Sequence, residues 1–330
     1  MLKNKKILVT GAAGFIGHHL VRELKRKNND IICLIPPGEN TSLLKGVEVK
    51  IIYGDITQKE CLVEAVNEVD YIFHLAARLG GRDNPLLYRV NLEGTKNLID
   101  VCREQKVKPE RFLFISSTAV VGPSGKHNTH NEETECRPVS HYGKSKLMAE
   151  QYLGALNGKF PHTIIRLPLV YGPGSRGGLF IFFKMLNNRI SLSFGNGETN
   201  LFYVSDAVEG IINAAASPIT IYKTYILGEN KIYSFRQIRD TIIKIMKKRP
   251  VKFFIPFHLM YIIAIFLELI ARATKSRSLF TRNELNSYVK HRYWRFSTDK
   301  AARDFGFQHR VSLAQGLRKT YDWYKQHSWI

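Results

Sequence analysis

The chain is poor in cysteine and in acidic residues, and repeats and low-complexity segments are absent. Its four cysteines, Cys33, Cys61, Cys102 and Cys136, lack C-x-x-C spacing. This argues against a zinc site or a disulfide framework, so no metal is expected, and a reducing cytoplasm is. The apolar stretch 259–267 is nine residues long, about half of what a transmembrane helix requires. The N-terminal lysines lead straight into an apolar run, and no signal peptide is expected there. Against 49 Lys and Arg stand only 28 Asp and Glu, a formal net charge of +21. Such basicity can mark a nucleic-acid binder, but bulk charge gives only sequence-independent attraction. No helix-turn-helix, zinc or RNP-type motif accompanies it, so no nucleic-acid partner is expected.

What is present begins at residues 10–17, Thr-Gly-Ala-Ala-Gly-Phe-Ile-Gly, between the apolar run 7–9 and an amphipathic helical pattern. A strand, a glycine turn and a helix N-terminus make a diphosphate cradle. Gly11 permits the turn, Gly14 admits a pyrophosphate, and Gly17 lets the helix pack on the strand. Ala13, Phe15 and Ile16 complete the candidate loop. The spacing is G-x-x-G-x-x-G.

Downstream, Ser117 ends the apolar run 112–115 and is followed 25 residues later by Tyr142-Gly-Lys-Ser-Lys146. Tyr and Lys four apart share one helix face. A cation held there is expected to lower the Tyr142 pKa, so that the phenol exchanges a proton with a carbinol oxygen held by Ser117.

Short apolar runs at 7–10, 31–35, 49–52, 71–74 and 112–116 alternate with helical stretches, including 91–105 and 142–156. This predicts an α/β protein with a doubly wound parallel sheet. At 330 residues a large domain and a smaller part are expected. The division is 1–172, with 203–229 returning to the sheet, against 173–202 and 230–330. Segment 131–138 is expected as a loop over the site.

The order of these features resembles the extended short-chain dehydrogenases/reductases, in the epimerase/dehydratase branch. The resemblance rests on 10–17, Gly54-Asp55, His74-Leu75-Ala76-Ala77, Asn91 within Val90–Thr95, Ser116-Ser117, Tyr142/Lys146, Arg166 with 170–174, and Val204-Ser-Asp206. It implies a Rossmann-type sheet with a smaller C-terminal substrate-binding domain, and a catalytic triad of Ser117, Tyr142 and Lys146. It also implies adenine contact by Asp55 with Ile56, a cofactor path along Leu75, Ala76 and Ala77, and a structural or relay role for Asn91 in the cofactor site. The pair of long helices would form a four-helix homodimer interface.

Where the family places an Asp or Arg after the second strand, this chain has Pro36, and no Lys or Arg occurs between Asp30 and Asn40. The missing cation favours NAD over NADP, which is not excluded. Dehydrating relatives carry Asp-Glu after the catalytic hydroxyl residue, whereas here Thr118 and Ala119 follow, and dehydration is not expected. Leu169 and Asn200 stand where nucleotide-sugar members carry Asn and Arg. Thr118, Arg176, Asn200 and Arg292 are the candidate substrate contacts, the arginines being otherwise solvated surface cations.

The expected activity is hydride transfer at a secondary alcohol or ketone, by a sugar epimerase or ketoreductase acting on a nucleotide- or lipid-linked sugar. The alternatives are an oxidoreductase of apolar alcohols like 3β-hydroxysteroid dehydrogenases and dihydroflavonol reductases, and a non-catalytic cofactor-binding scaffold. From Lys244 onward there are 18 Lys and Arg against 5 Asp and Glu. Segment 253–274, apolar and flanked by these cations, is expected to be either a core or lid helix or a peripheral contact with the inner face of a membrane.

Overall fold

The computed structural model describes residues 2–80, 84–193, 197–254, 261–262, 265–266 and 290–330. Most of segment 253–274 therefore lies outside the described residues. Among the described residues, no helix is long and apolar enough to cross a membrane.

The strands are β1 (Lys6–Thr10), β2 (Asp30–Ile35), β3 (Lys50–Tyr53), β4 (Tyr71–His74), β5 (Arg111–Ser117), β6 (His162–Leu167), β7 (Leu169–Tyr171), β8 (Ile190–Ser193), β9 (Glu198–Tyr203), β10 (Lys223–Ile226), β11 (Ile232–Ser234), β12 (Val251–Phe254) and β13 (Tyr293–Trp294). Seven of them form a parallel sheet in the order β10-β6-β5-β4-β1-β2-β3. This is a Rossmann-type doubly wound sheet, extended by β10.

The helices are α1 (Phe15–Arg26), α2 (Asn84–Tyr88), α3 (Gly94–Glu104), α4 (His141–Gly154), α5 (Gly178–Asn187), α6 (Val204–Ala216), α7 (Phe235–Met246), α8 (Asp299–Phe305) and α9 (Leu313–Gln326). The large sheet is buried on both faces, as its nearly continuous apolar strands require. One face packs Leu20, Val21 and Leu24 of α1 and Val208, Ile211 and Ile212 of α6. The other packs Leu98, Ile99 and Cys102 of α3 and Ala149 and Leu153 of α4.

Segment 203–216, expected to return to the sheet, does so as the covering helix α6, while β10 supplies the edge strand. Ala301 of α8 and Phe307 belong to the same core as β1 and β2, so the chain beyond residue 230 also closes the large sheet. Strand β6 was not among the expected strands.

A smaller sheet is built on β9, flanked by β11 and β13 and also paired with β7, while β8 and β12 form a separate pair. α5, α7 and α9 gather around Phe183, Ile238, Ile242, Leu317 and Tyr324 in a second core. Reciprocal capping boxes, Ser234 with Gln237 and Ser312 with Gln315, start α7 and α9.

Candidate active site

Strand order reverses beside β1 and β4, and their carboxyl ends open a crevice of the kind in which doubly wound sheets bind ligands. Gly11 turns the chain out of β1 with φ +68°, and a Cβ there would stand 2.7 Å from the Ala76 backbone nitrogen. At Gly17 a Cβ would stand 2.1 Å from the Gly11 carbonyl oxygen, so helix and loop meet only because Gly17 lacks a side chain. Gly14 caps α1 without any side-chain hydrogen bond. The first N–H groups of the helix, beside Phe15, Ile16 and buried Ala13, are left to an anion.

The loop is braced from below by a pair the sequence reading missed. His18 Nδ1 bonds the Gly14 carbonyl at 3.0 Å, and His19 Nε2 bonds the Pro173 carbonyl at 2.8 Å. Burial, then the neighbouring His19, pulls His18 down to about 4, and burial also lowers His19, so both are neutral props.

At the end of β3, half-buried Asp55 accepts the Thr57 N–H at 2.8 Å, and Ile56 is buried against Gly94. At the end of β4, Leu75, Ala76 and Ala77 line the crevice half-buried. Behind them runs a closed polar chain. The Ala76 N–H donates to Thr10 Oγ1 at 3.2 Å, and Thr10 Oγ1 and His74 Nδ1 lie 2.7 Å apart. His74 Nε2 and Thr95 Oγ1 are 2.8 Å apart, and Thr95 donates to the Asn91 carbonyl at 2.8 Å. With Thr95 donating onward, the network assigns the His74 proton to Nε2. Burial, and secondarily Lys146, holds His74 well below its ordinary range, hence neutral.

Asn91 lies beside this polar chain. It is fully buried and its amide is consumed: Oδ1 accepts the Arg78 N–H at 2.7 Å, while Nδ2 donates to the Arg78 carbonyl at 3.0 Å and to Ser145 Oγ at 2.9 Å. It ties the loop after β4 to the residue before Lys146.

Ser117, Tyr142 and Lys146 come together for a steric reason. Ser140 caps α4 by accepting the Gly143 N–H at 3.0 Å. A Cβ at Gly143 would stand 2.3 Å from the Ala119 carbonyl oxygen. Glycine thus lets the start of α4 close on the turn after β5, which brings the Tyr142 hydroxyl close enough to Ser117 to feel it.

Lys146, one turn further, is fully buried, and its ammonium has no hydrogen-bond partner. Burial pulls it down to about 7, with Glu150 acting the other way. Burial pushes Tyr142 up to about 12, with Ser117 acting the other way. The expected lowering of Tyr142 by Lys146 is therefore corrected: desolvation outweighs it, and a lysine near 7 is itself only partly charged at neutral pH.

One turn below Lys146, Glu150 was also overlooked, although it repeats the four-residue spacing that singled out Tyr142 and Lys146. Its carboxylate accepts Ser116 Oγ at 2.5 Å and Arg166 Nη2 at 2.7 Å, all three residues being buried. Arg166 Nη2 also reaches Cys136 Sγ at 3.3 Å, fastening the 131–138 loop, while Glu132 Oε1 accepts the Ile226 N–H at 2.7 Å.

The candidate substrate contacts do not converge. Thr118 is buried in the turn after Ser117. Asn200 is corrected to a structural residue, fully buried with Nδ2 donating to the carbonyls of Glu229 and Phe296 at 3.1 Å and Oδ1 accepting the Phe296 N–H at 2.8 Å. Arg176 is exposed with its guanidinium 4.5 Å from the Trp329 ring, and Arg292 lies 5.5 Å from the Tyr293 ring. Neither contact reaches the Ser117, Tyr142 and Lys146 group. Among the described residues no cluster of His, Cys, Asp and Glu could hold a metal.

The model of the NAD dependent epimerase/dehydratase family matches residues 7–228. The chain belongs to this family. A Bacillus subtilis (strain 168) member described as an uncharacterized UDP-glucose epimerase, YtcB, is 33% identical over 247 residues, covering 68% of this chain and 76% of the other. The sterol-4-alpha-carboxylate 3-dehydrogenase, decarboxylating, of Mus musculus is 25% identical over 334 residues, covering 96% of this chain and 90% of the other. Among solved structures, a UDP-glucuronic acid 4-epimerase from Bacillus cereus, in complex with UDP-glucuronic acid and NAD, superposes with a TM-score of 0.77. It is 25% identical, covering 98% of this chain and 99% of that one.

The family's cofactor is NAD, and two observations fit a dinucleotide here. The glycine loop is a cradle that a Cβ would fill, and the Lys146 ammonium is a buried donor in need of an acceptor.

Proposed function

We propose that the protein transfers hydride at a secondary alcohol or ketone, with Tyr142 as the acid/base, Ser117 holding the reacting oxygen and Lys146 binding cofactor hydroxyls beside them. The observation that supports this most is the buried Lys146 ammonium, without a hydrogen-bond partner among the described residues and one turn from a tyrosine whose hydroxyl lies within the influence of Ser117. NAD, when bound, accepts and returns the hydride. Tyr142, a neutral phenol in this structure, gives its proton to the carbonyl oxygen during reduction and, as the phenolate so formed, takes the hydroxyl proton during oxidation. The glycine loop and the N-terminus of α1 hold the diphosphate, with Asp55 on the adenosine side. The intact triad speaks against a non-catalytic scaffold. Thr118 and Ala119, where dehydrating relatives carry acids, leave dehydration without a proton donor.

The substrate we infer is a sugar, nucleotide- or lipid-linked, handled by an epimerase or ketoreductase. A second reading, an apolar alcohol, is favoured by Leu169, whose side chain is 38% exposed at the start of β7, and by Asn200, which is buried where an arginine clamp would stand. The sterol dehydrogenase relative also matches along the C-terminal part. Membership of a homodimer through α3 and α4 belongs to the same proposal, with Met148 exposed on α4.

The deciding experiment is to purify the protein, identify any bound nicotinamide by mass spectrometry, and assay with and without added NAD. An epimerase oxidises and re-reduces its substrate on one cofactor, so it should turn over without external NAD. Strict dependence on stoichiometric NAD would select the dehydrogenase. No redox or epimerising turnover of sugars, sterols or other secondary alcohols would overturn the proposal.

A further inference from the structure

Away from the crevice, the C-terminal part carries a face on which apolar and basic side chains are exposed together. α5 buries Leu179, Phe183 and Leu186 in the second core, which leaves Ile181 57% exposed on its other side. β8 and β12 pair in parallel with Val251 opposite Ile190, and both are exposed, at 58% and 40%. After β12, Ile262 and Phe266, four residues apart, are likewise exposed.

The charge on this face has one sign. Neither 178–193 nor 241–267 contains an Asp or Glu. Lys184, Arg189, Lys244, Lys247 and Arg249 are exposed, and Lys248 fastens the two segments by donating to the carbonyl and Oδ1 of Asn187 at 2.7 Å. Solvated lysines on a soluble surface are ordinarily interspersed with acids, and exposed Ile and Phe are ordinarily isolated. Here both exceptions fall on the same paired segments.

We propose that the outer side of α5 together with the β8–β12 pair docks on the surface of an anionic lipid bilayer. The charge complementarity argues for that occupant: a uniformly basic rim attracts anionic headgroups, and the exposed aliphatic side chains enter the boundary with the acyl chains. A second copy of this chain would bring like charges face to face. The contact lies along the surface and does not span it. It is independent of the catalytic proposal, because turnover of a water-soluble substrate does not require it.

The test is co-sedimentation of the full chain with vesicles of phosphatidylcholine, alone or mixed with phosphatidylglycerol, at low and high salt. Three proteins are compared: the parent, an Arg189→Asn/Lys247→Asn/Arg249→Glu variant, and an Ile181→Gln/Ile190→Thr variant. Asparagine is chosen at 189 and 247 because both have left-handed backbone, φ +58° and +51°, which asparagine tolerates. Thermal melting of each variant checks folding.

The parent is expected to bind only the anionic vesicles and to be released by salt. The charge variant should bind about tenfold more weakly, and the apolar variant should be weakened at both salt concentrations. Absent binding, or binding equal on both vesicle types and unchanged in the variants, overturns the proposal. So does a shift of the apolar variant from dimer to monomer with no vesicle binding by the parent, since that would make the face a contact between copies. If both variants melt early, the salt and lipid dependence of the parent alone decides.

Discussion

The Lys146 ammonium stands 3.9 Å from the centre of the Phe114 ring, buried and without a hydrogen-bond partner. The aromatic face offers a cation only part of what water would, so Lys146 is poised to take an acceptor. Lys146→Met should weaken NAD binding by about tenfold and abolish turnover. Tyr142→Phe should lower kcat by roughly 10²–10⁴ with cofactor affinity nearly unchanged. Fluorescence titration with NAD beside steady-state kinetics separates the two, and substantial activity in Tyr142→Phe would place the proton transfer elsewhere.

The same lysine has a signature in stability. Its folded-state pKa is about 7 against an ordinary 10.5, so between those values the unfolded chain binds the extra proton. Stability attributable to Lys146 therefore rises with pH through that window and is flat below it. Urea unfolding at pH 7 and pH 9 should show this gain in the parent and a smaller one in Lys146→Met. Identical pH responses would mean that the lysine is hydrated.

The Glu150–Arg166 pair is buried, and breaking one side strands a charge. Glu150→Leu and Arg166→Met should each destabilise by about 3–5 kcal/mol, whereas the double change Glu150→Leu/Arg166→Met should lose less than either alone. A double-mutant cycle by denaturant unfolding measures this. Additive losses would show that the pair is not coupled.

Gly17→Ala places a methyl group where the Gly11 carbonyl lies. Loop or helix must move, and a loss of about 1–3 kcal/mol is expected together with weakened NAD binding. Retention of full NAD affinity would show that the loop is not the diphosphate cradle.

The alternation of apolar runs made the first half of the sheet legible. Residues 71–74 form β4 at the expected bounds, and the other four expected strands differ only by a residue at their ends. β6 escaped because His162, Thr163 and Arg166 interrupt its apolar pattern. Each is buried and hydrogen-bonded: His162 to the Phe160 carbonyl two residues before it, Thr163 to Arg111 and Thr220, Arg166 to Glu150. Thr163 and Arg166 have partners 16 to 57 positions away, too far to leave a local signal, and the same holds for Asn200, whose partners lie 29 and 96 residues away. The site was readable where its chemistry is local, in the glycine loop and the four-residue step from Tyr142 to Lys146. The consumption of Asn91 by the backbone of Arg78 was not.

The position of α8 bears on how the molecule is assembled. Ala301 and Phe307 complete the core that begins with Ile7 and Val9, and Tyr225 of β10 bonds Asp304 at 2.7 Å. A nascent chain therefore cannot finish its first hydrophobic layer until residues 301–307 are available. The large sheet is left to wait, with an open edge, for that segment to be made. Folding intermediates of this protein should accordingly be long-lived and prone to edge pairing, and α8 acts as the clasp that closes them.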